Sequence, residues 1–239
     1  MSQTLALIHT SQVFLTVETM MKSMFAEIMP DVRLINILDD SLLPQCMSEQ
    51  EITPAVTRRM CAYVVAAEVA GADAVLSLCS SLGPTIDVAR KLVRIPVIKI
   101  DDAHTEKAVR QARRIGVMAT VPTTLRPTVS LLREKAAAFR KEIEIRESLS
   151  NAAFEALMSG DKDRHDAMVI EAARQLAPNV DMILFAQASM TRLAAAVSQA
   201  TSRTVLTSPR LAIEYTKRVL DDLKAPGEEF APSLAAARS

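Results

Sequence analysis

Short apolar runs alternate with longer segments of helical periodicity along almost the whole chain. Most of these runs show no polar alternation, which is typical of strands that helices cover on both faces. Regular strand–helix alternation therefore predicts an α/β fold with parallel sheets and right-handed crossovers. The predicted strands are Leu5–His9, Val32–Leu38, Ala74–Leu78, Pro96–Ile98, Ile115–Ala119, Glu142–Ile145, Met182–Ala186 and Thr204–Leu206. The predicted helices are Val13–Ile28, Glu51–Ala70, Pro84–Leu92, Thr105–Arg113, Pro122–Ala138, Asp163–Gln175, Met190–Gln199 and Pro209–Leu223.

The second half of the chain repeats the pattern of the first half at an offset of about 110 residues. The segment Gly71–Ile98 aligns with Asn179–Leu206, and Asp73 then falls on Asp181. The first strand of the chain matches the fifth strand at nearly the same offset. Two matches in the same order predict two pseudo-symmetric α/β lobes, each a parallel sheet flanked by helices, with a site in the cleft between them.

The repeat also suggests where the lobes begin and end. We predict a first lobe made of residues 1–100 together with a last helix over 207–225, which would pack back on that lobe. Residues 101–206 are predicted to form the second lobe. Residues 226–239 are rich in Pro, Ser and Ala and are expected to form a flexible tail.

The composition argues against several kinds of partner. Basic and acidic side chains balance at 28 each, so no electrostatic footprint for nucleic acid or an anionic membrane is expected. No apolar stretch approaches the length of a membrane span. Three cysteines in 239 residues do not make a disulfide framework, and the reducing cytoplasm is the expected location.

The side chains that follow the predicted strands are candidates for a site, because ligands of open parallel sheets bind beyond the carboxyl ends of the strands. Hydroxyl groups dominate this set and precede helix N-termini, where free N–H groups and the helix dipole favour a carboxylate. Ser and Thr are also common N-caps, so the prediction rests on the set as a whole. The candidates are His9, Thr10, Ser11, Cys79, Ser80, Ser81, Thr120, Thr123, Thr124, Gln187 and Ser189.

Cys79 is the most specific candidate, since it lies between a strand end and a helix N-terminus. The helix dipole stabilises a thiolate there, and a pKa below the free-thiol value of about 8.5 is expected. The alternative is a small buried hydrophobic residue, which describes Cys61 well. Cys46 follows a proline-containing segment and is interpreted as incidental. The three histidines share no metal-ligand spacing and no glycine-rich phosphate loop occurs, so neither a metal nor a nucleotide cofactor is predicted.

With Cys79 placed in this way, the sequence resembles the aspartate/glutamate/hydantoin racemase superfamily, which includes amino-acid racemases, maleate isomerase and arylmalonate decarboxylase. The resemblance extends to about residue 223. The matching segments are LIHTS (7–11), DAVLSLCSSLG (73–83), IGVMATVPTTL (115–125), DMILFAQASM (181–190) and TVLTSPRLAIEY (204–215). The resemblance implies a homodimer and a site at the lobe interface, where two cysteines face each other across the substrate carbon. In the racemases one cysteine removes the α-proton and the other returns a proton to the opposite face, without pyridoxal phosphate or metal.

This chain departs from the family pattern at the second cysteine. Cys79 matches the first cysteine, whereas the second position, by the repeat and by the resemblance, is Gln187. Another group, Ser189 or His9, could carry the second proton. Alternatively, one thiol suffices, as in the decarboxylase branch, which however retains the other cysteine. As a third option, Cys79 adds to an unsaturated or carbonyl carbon, as in maleate isomerase, while Gln187 binds a substrate oxygen.

The sequence thus predicts a cofactor-independent isomerase of the aspartate/glutamate racemase type, acting on amino acids or related small carboxylic acids. Cys79 would be the base or nucleophile. Two alternatives stay open: a single-cysteine decarboxylase or lyase of a small oxo- or dicarboxylic acid, and a non-catalytic carboxylate-binding protein.

Overall fold

Two four-stranded sheets, both entirely parallel, form the core of the structure, a computed structural model that describes residues 2–12 and 19–224. The first sheet has the order β2-β1-β3-β4 and the second has the order β6-β5-β7-β8. The predicted α/β class is therefore confirmed. The strands are β1 (Thr4–His9), β2 (Arg33–Leu38), β3 (Ala74–Ser77), β4 (Val97–Lys99), β5 (Arg114–Ala119), β6 (Glu144–Leu149), β7 (Met182–Phe185) and β8 (Thr204–Leu206).

Ten α-helices connect and cover these strands within the described residues. They are α1 (Thr19–Ile28), α2 (Leu42–Glu49), α3 (Pro54–Val69), α4 (Gly83–Ala89), α5 (Asp102–Gln111), α6 (Pro122–Ala138), α7 (Asn151–Met158), α8 (Lys162–Leu176), α9 (Ala194–Thr201) and α10 (Ser208–Asp222). Short 3₁₀ helices precede α4 (Ser80–Leu82) and α9 (Ala188–Leu193), and a third follows α8 (Ala177–Asn179). The first six residues of the predicted helix Val13–Ile28 lie outside the described residues.

The two sheets repeat each other in detail, because strands at equivalent places in the chain occupy equivalent places in each sheet. The aligned pair Asp73 and Asp181 shows the same relation. The Asp73 carboxylate accepts the backbone N–H of Thr4 at 2.7 Å, and the Asp181 carboxylate accepts that of Arg114 at 2.8 Å. Thr4 and Arg114 begin the two inner strands β1 and β5. The duplication read from the sequence is thus a duplication of structure.

The place of a strand within its sheet explains how clearly its apolar run stands out in the sequence. The inner strands β1, β3 and β7 are buried throughout, as their unbroken apolar runs predict. The outer strands β2 and β6 are only partly buried. In β6 the charged side chains of Arg146 and Glu147 face outward, so the prediction ended this strand at Ile145 whereas it continues to Leu149.

Two helices, α2 and α7, were not predicted. Each has eight residues, follows the outer strand of its sheet and buries only two side chains, so its periodicity is weak. Pro44 further obscures α2. The predicted single helix Met190–Gln199 is instead the 3₁₀ helix Ala188–Leu193 followed by α9.

The last helix, α10, packs on the first sheet. Ile213 and Leu220 belong to the same buried cluster as Leu5 and Leu7 of β1. The Gln3 side-chain amide also donates a hydrogen bond to the carbonyl of Leu220. The lobe boundaries themselves stay a prediction, and the tail 226–239 lies outside the described residues. No helix in residues 2–12 and 19–224 is long and apolar enough to cross a bilayer.

Candidate active site

A cavity of about 590 Å³ lies between the two halves of the chain, beyond the carboxyl ends of the strands. This volume falls in the range of small-molecule sites, roughly 300–1,000 Å³. Ser81, Thr120 and Thr123, three of the predicted site residues, line the cavity. The helices α2 and α7, which occupy equivalent positions in the repeat, contribute Met47 and Phe154 to the cavity wall. The two helices missed by the sequence analysis therefore shape the cavity.

Cys79 lies directly before the 3₁₀ helix Ser80–Leu82 and is only 8% exposed. The Thr10 hydroxyl hydrogen-bonds to its sulfur, and the backbone N–H groups of Leu82 and Ser81 favour its thiolate form without making a capping hydrogen bond. Burial nevertheless raises the pKa of the Cys79 thiol, and a nearby carboxylate, Asp101, adds to this effect. The predicted lowering of this pKa is wrong, because desolvation of the thiolate outweighs the three donors.

Gln187 occupies the equivalent position in the second half. It precedes the 3₁₀ helix Ala188–Leu193, and its φ and ψ of −130° and 127° resemble the −132° and 110° of Cys79. Its Oε1 accepts hydrogen bonds from the backbone N–H of Thr120 at 2.6 Å and from the Thr120 hydroxyl at 3.1 Å. A backbone N–H can only donate, so the oxygen of the amide faces Thr120 and its NH₂ group remains as a donor.

A threonine after the inner strand thus contacts the residue before the 3₁₀ helix in both halves. Thr10 follows β1 and hydrogen-bonds to Cys79, while Thr120 follows β5 and hydrogen-bonds to Gln187. The repeat places Thr10 on Thr120 and Cys79 on Gln187. The structure brings both pairs together.

His9, like Cys79 and Gln187, is not among the residues that line the cavity. It is 3% exposed, and its Nε2 lies 2.9 Å from Oδ1 of Asn36. Its Nδ1 is buried and has no hydrogen-bond partner among the described residues. Burial lowers the pKa of His9, and the contact with Asn36 only partly opposes this shift. A buried neutral imidazole directed toward Asn36 is poorly placed to return a proton to substrate.

Four other predicted residues lie elsewhere or serve local structure. The Ser80 hydroxyl hydrogen-bonds to Asp101, and the Thr124 hydroxyl donates to the Val121 carbonyl at 3.0 Å. Ser189 is exposed and does not line the cavity. Ser11 is half-buried after Thr10 and does not line the cavity either.

A buried carboxyl group near Cys79, that of Asp101, was not among the predicted site residues. Asp101 makes no capping hydrogen bond, and burial raises its pKa to about 7 despite the hydrogen bond from Ser80. His104 is fully buried, with its Nε2 3.7 Å from Oδ1 of Asp101, and burial lowers its pKa to about 4.

The neighbouring Asp102 is also buried, and burial alone would raise the pKa of its carboxyl group. The charges of Arg90 and then Lys135 outweigh this effect and lower the pKa, so Asp102 stays ionised.

Two residues of the cavity wall, Cys46 and Arg126, were not predicted to belong to the site. Cys46 lines the cavity; burial raises the pKa of its thiol, and charge on Cys79 raises it further. Arg126 lies one helical turn beyond Thr123 and also lines the cavity. The spacing of Arg126 from Thr123 could have shown that they share a helix face, but nothing local showed that the face borders a cavity.

The chain matches the sequence profile described as Asp/Glu/Hydantoin racemase over residues 14–216. It belongs to the Asp/Glu/hydantoin racemase family. No curated protein sequence matches it. Solved structures with this fold include racemases of three different substrates, each at low sequence identity.

Glutamate racemase from Francisella tularensis, solved with D-glutamate, is 14% identical, covers 93% of this chain and 82% of its own length, and has a TM-score of 0.69. Aspartate racemase from Picrophilus torridus is 12% identical over 90% of this chain and 94% of its own, with a TM-score of 0.67. Allantoin racemase from Klebsiella pneumoniae is 16% identical over 100% of this chain and 95% of its own, with a TM-score of 0.62. At these identities the likeness establishes the shared fold.

Proposed function

We propose that this member of the racemase family is a cofactor-independent isomerase that acts at the carbon next to a substrate carboxylate through Cys79. One observation carries the proposal: beyond the end of β3, the Thr10 hydroxyl hydrogen-bonds to the Cys79 sulfur and the backbone N–H groups of Ser81 and Leu82 favour its thiolate form. The neighbouring Ser81 lines the cavity between the two halves. Three converging donors suit a sulfur that carries negative charge during turnover.

In the proton-transfer form of this chemistry, the Cys79 thiolate takes the proton from the carbon next to the carboxylate. The S–H bond forms as the C–H bond breaks, and the electron pair moves into the carboxylate to give an enolate-like state. The Ser81 hydroxyl, which lines the cavity near Thr120, would bind a carboxylate oxygen. Donors positioned before the reaction stabilise such a charge more effectively than water does.

Gln187 supports a second candidate, chemistry with a single thiol. Its amide oxygen is occupied by Thr120, so the side chain offers hydrogen-bond donors and has no proton to exchange. Addition of Cys79 to an unsaturated or carbonyl carbon, or decarboxylation of a small dicarboxylic acid, needs only one thiol. In either case the Gln187 NH₂ group would bind a substrate oxygen. His9 is buried against Asn36, which disfavours it as the carrier of a second proton.

Deuterium exchange in D₂O, followed by NMR, tests the proposal. Amino acids and small hydroxy-, oxo- and dicarboxylic acids are incubated with the wild type, Cys79→Ala and Cys61→Ala, the last a cysteine outside the cavity. We expect exchange next to the carboxylate in the wild type and Cys61→Ala but not in Cys79→Ala. Loss of chirality would identify a racemase, and consumption of an unsaturated or oxo acid without exchange would identify the single-thiol alternative. Neither exchange nor consumption would overturn the proposal in favour of a carboxylate-binding protein.

A further inference from the structure

The cavity has a single cationic side chain among its described lining residues, and this is Arg126. Within residues 2–12 and 19–224, its guanidinium has neither an ion pair nor a hydrogen bond. Arg90 and Arg192, by contrast, each pair with a carboxylate. An arginine that borders a cavity without an internal partner is available to a ligand, and its planar fork fits a carboxylate.

A second unpaired group lies on the same helix face. Thr123 precedes Arg126 by three residues, so the two side chains lie side by side on α6. The Thr123 hydroxyl is buried and has no hydrogen-bond partner in the part of the chain that the structure describes. A buried hydroxyl without a partner is costly unless a ligand or water satisfies it. Thr123 and Arg126 thus present two adjacent donors to one cavity.

The walls around these donors are largely apolar. Phe154 from α7, Met47 from α2 and Pro127 from α6 border the space. A cavity of about 590 Å³ is of the size that encloses much of a drug-sized ligand. An aspartate-sized substrate would leave most of it unfilled.

Negative charge at the same cavity restricts where a second anion can bind. Glu51 and Glu155 also line the space, and neither pairs with Arg126. Their carboxylates repel an anion placed beside them, whereas the guanidinium attracts one at contact distance. The favourable place for a second anionic group is therefore against Arg126.

We infer that Arg126 selects the substrate by binding a second carboxylate, so that the substrate is an elongated dicarboxylate with an apolar body between its two ends. The reacting carboxylate lies near Ser81 and Thr120, an assignment that rests on the proposed function. The apolar body lies against Phe154 and Met47. Arg126 is thus a specificity-determining residue and takes no part in the bond-making steps.

Isothermal titration calorimetry tests this inference with three unreactive probes: adipate, its monoanionic counterpart hexanoate, and the shorter dianion succinate. The proteins are the wild type, Arg126→Met and Arg94→Met. Arg94 is exposed and lies outside the cavity, so its replacement controls for the lost charge. Equal melting temperatures of the wild type and Arg126→Met are expected, since Arg126 has no internal partner.

We expect the wild type and Arg94→Met to bind adipate at least tenfold more tightly than hexanoate or succinate. Arg126→Met should lose this preference over hexanoate by weakening for adipate alone. Equal losses for adipate and hexanoate would place Arg126 at the reacting carboxylate and overturn the inference. Equal wild-type affinities for adipate and succinate, or binding of no probe, would overturn it as well. Calorimetry needs no turnover, so an adipate preference without Cys79-dependent exchange would contradict only the proposed function.

Discussion

The Oε1 atom of Gln187 lies 2.6 Å from the backbone nitrogen of Thr120 and 3.1 Å from its hydroxyl. The equivalent pair in the first half is Cys79 and Thr10, where the hydroxyl contacts the thiol. In both halves a threonine hydroxyl that follows the inner strand thus contacts the residue before the 3₁₀ helix, which is a thiol in the first half and an amide in the second. A thiol introduced at position 187 would lie beside the Thr120 hydroxyl, as Cys79 lies beside that of Thr10.

Gln187→Cys is therefore expected to create or increase racemisation of an amino acid such as aspartate or glutamate. The new thiol can return a proton to the face opposite Cys79, a step that an amide cannot perform. Circular dichroism of each enantiomer incubated with the variant measures the effect. Gln187→Ser, which has no titratable thiol, is the control and should show no gain. A folded Gln187→Cys protein without increased racemisation would contradict the view that position 187 faces the substrate carbon.

Thr10→Val should raise the pKa of the Cys79 thiol further. The hydroxyl of Thr10 is among the donors that lower this pKa against the larger effect of burial. Without this hydroxyl the thiolate loses a hydrogen-bond donor while its burial is unchanged, so the pKa of the thiol should rise. The pH dependence of iodoacetamide labelling at Cys79, resolved by peptide mass, measures the shift. Thr120→Val removes the matching hydroxyl from Gln187 and should leave the Cys79 profile unchanged; a shift in both variants would refute the assignment.

Asp101→Asn should change how stability depends on pH. Burial raises the Asp101 pKa from 3.8 to about 7, so between these values the folded protein holds a proton that the unfolded chain releases. Asp101 therefore contributes stability that falls as pH rises from about 4 to about 7. Relative to the wild type, the unfolding free energy of Asp101→Asn should rise by up to about 1.4 kcal/mol per pH unit in this window.

His104→Gln is a control whose stability should depend on pH in the opposite direction. Burial lowers its pKa from 6.5 to about 4, so the unfolded chain binds the extra proton between these values. His104 therefore contributes stability that is present above about pH 6.5 and lost as pH falls toward 4. His104→Gln should lose stability relative to the wild type as pH rises through this range, the reverse of Asp101→Asn. Urea unfolding at half-unit steps from pH 4.5 to 8 measures both; parallel curves for all three proteins would contradict the burial of these groups.

Asp73→Ala should destabilise the protein more than Asp181→Ala does. Asp73 accepts the N–H of Thr4, which is buried, so its removal leaves an unsatisfied donor at a cost of about 1–3 kcal/mol. Asp181 accepts the N–H of Arg114 and pairs with its guanidinium, but both residues are exposed. Water replaces these contacts, so a smaller loss of stability than for Asp73→Ala is expected. Urea denaturation ranks the two variants, and the reverse order would show that the exposed ion pair matters more than the buried donor.

The sequence by itself determined the strands, the duplication and the equivalence of Cys79 with Gln187. These features depend only on the order of residues along the chain. An inner strand has a continuous apolar run, and a duplication preserves the spacing of residues such as Asp73 and Asp181. The Thr10 and Thr120 positions followed in the same way, since each ends an inner strand.

Only the tertiary structure decided what surrounds those residues. The pKa of Cys79 is raised because segments distant in sequence exclude water from it, and no local pattern records that burial. Asp101 and His104 are buried together, and no local pattern in the sequence indicated that burial. Arg126 borders a cavity only because α2 and α7, two short helices with weak periodicity, contribute further parts of its wall. Desolvation and cavity shape depend on contacts between remote segments, and these exist only once the chain has folded.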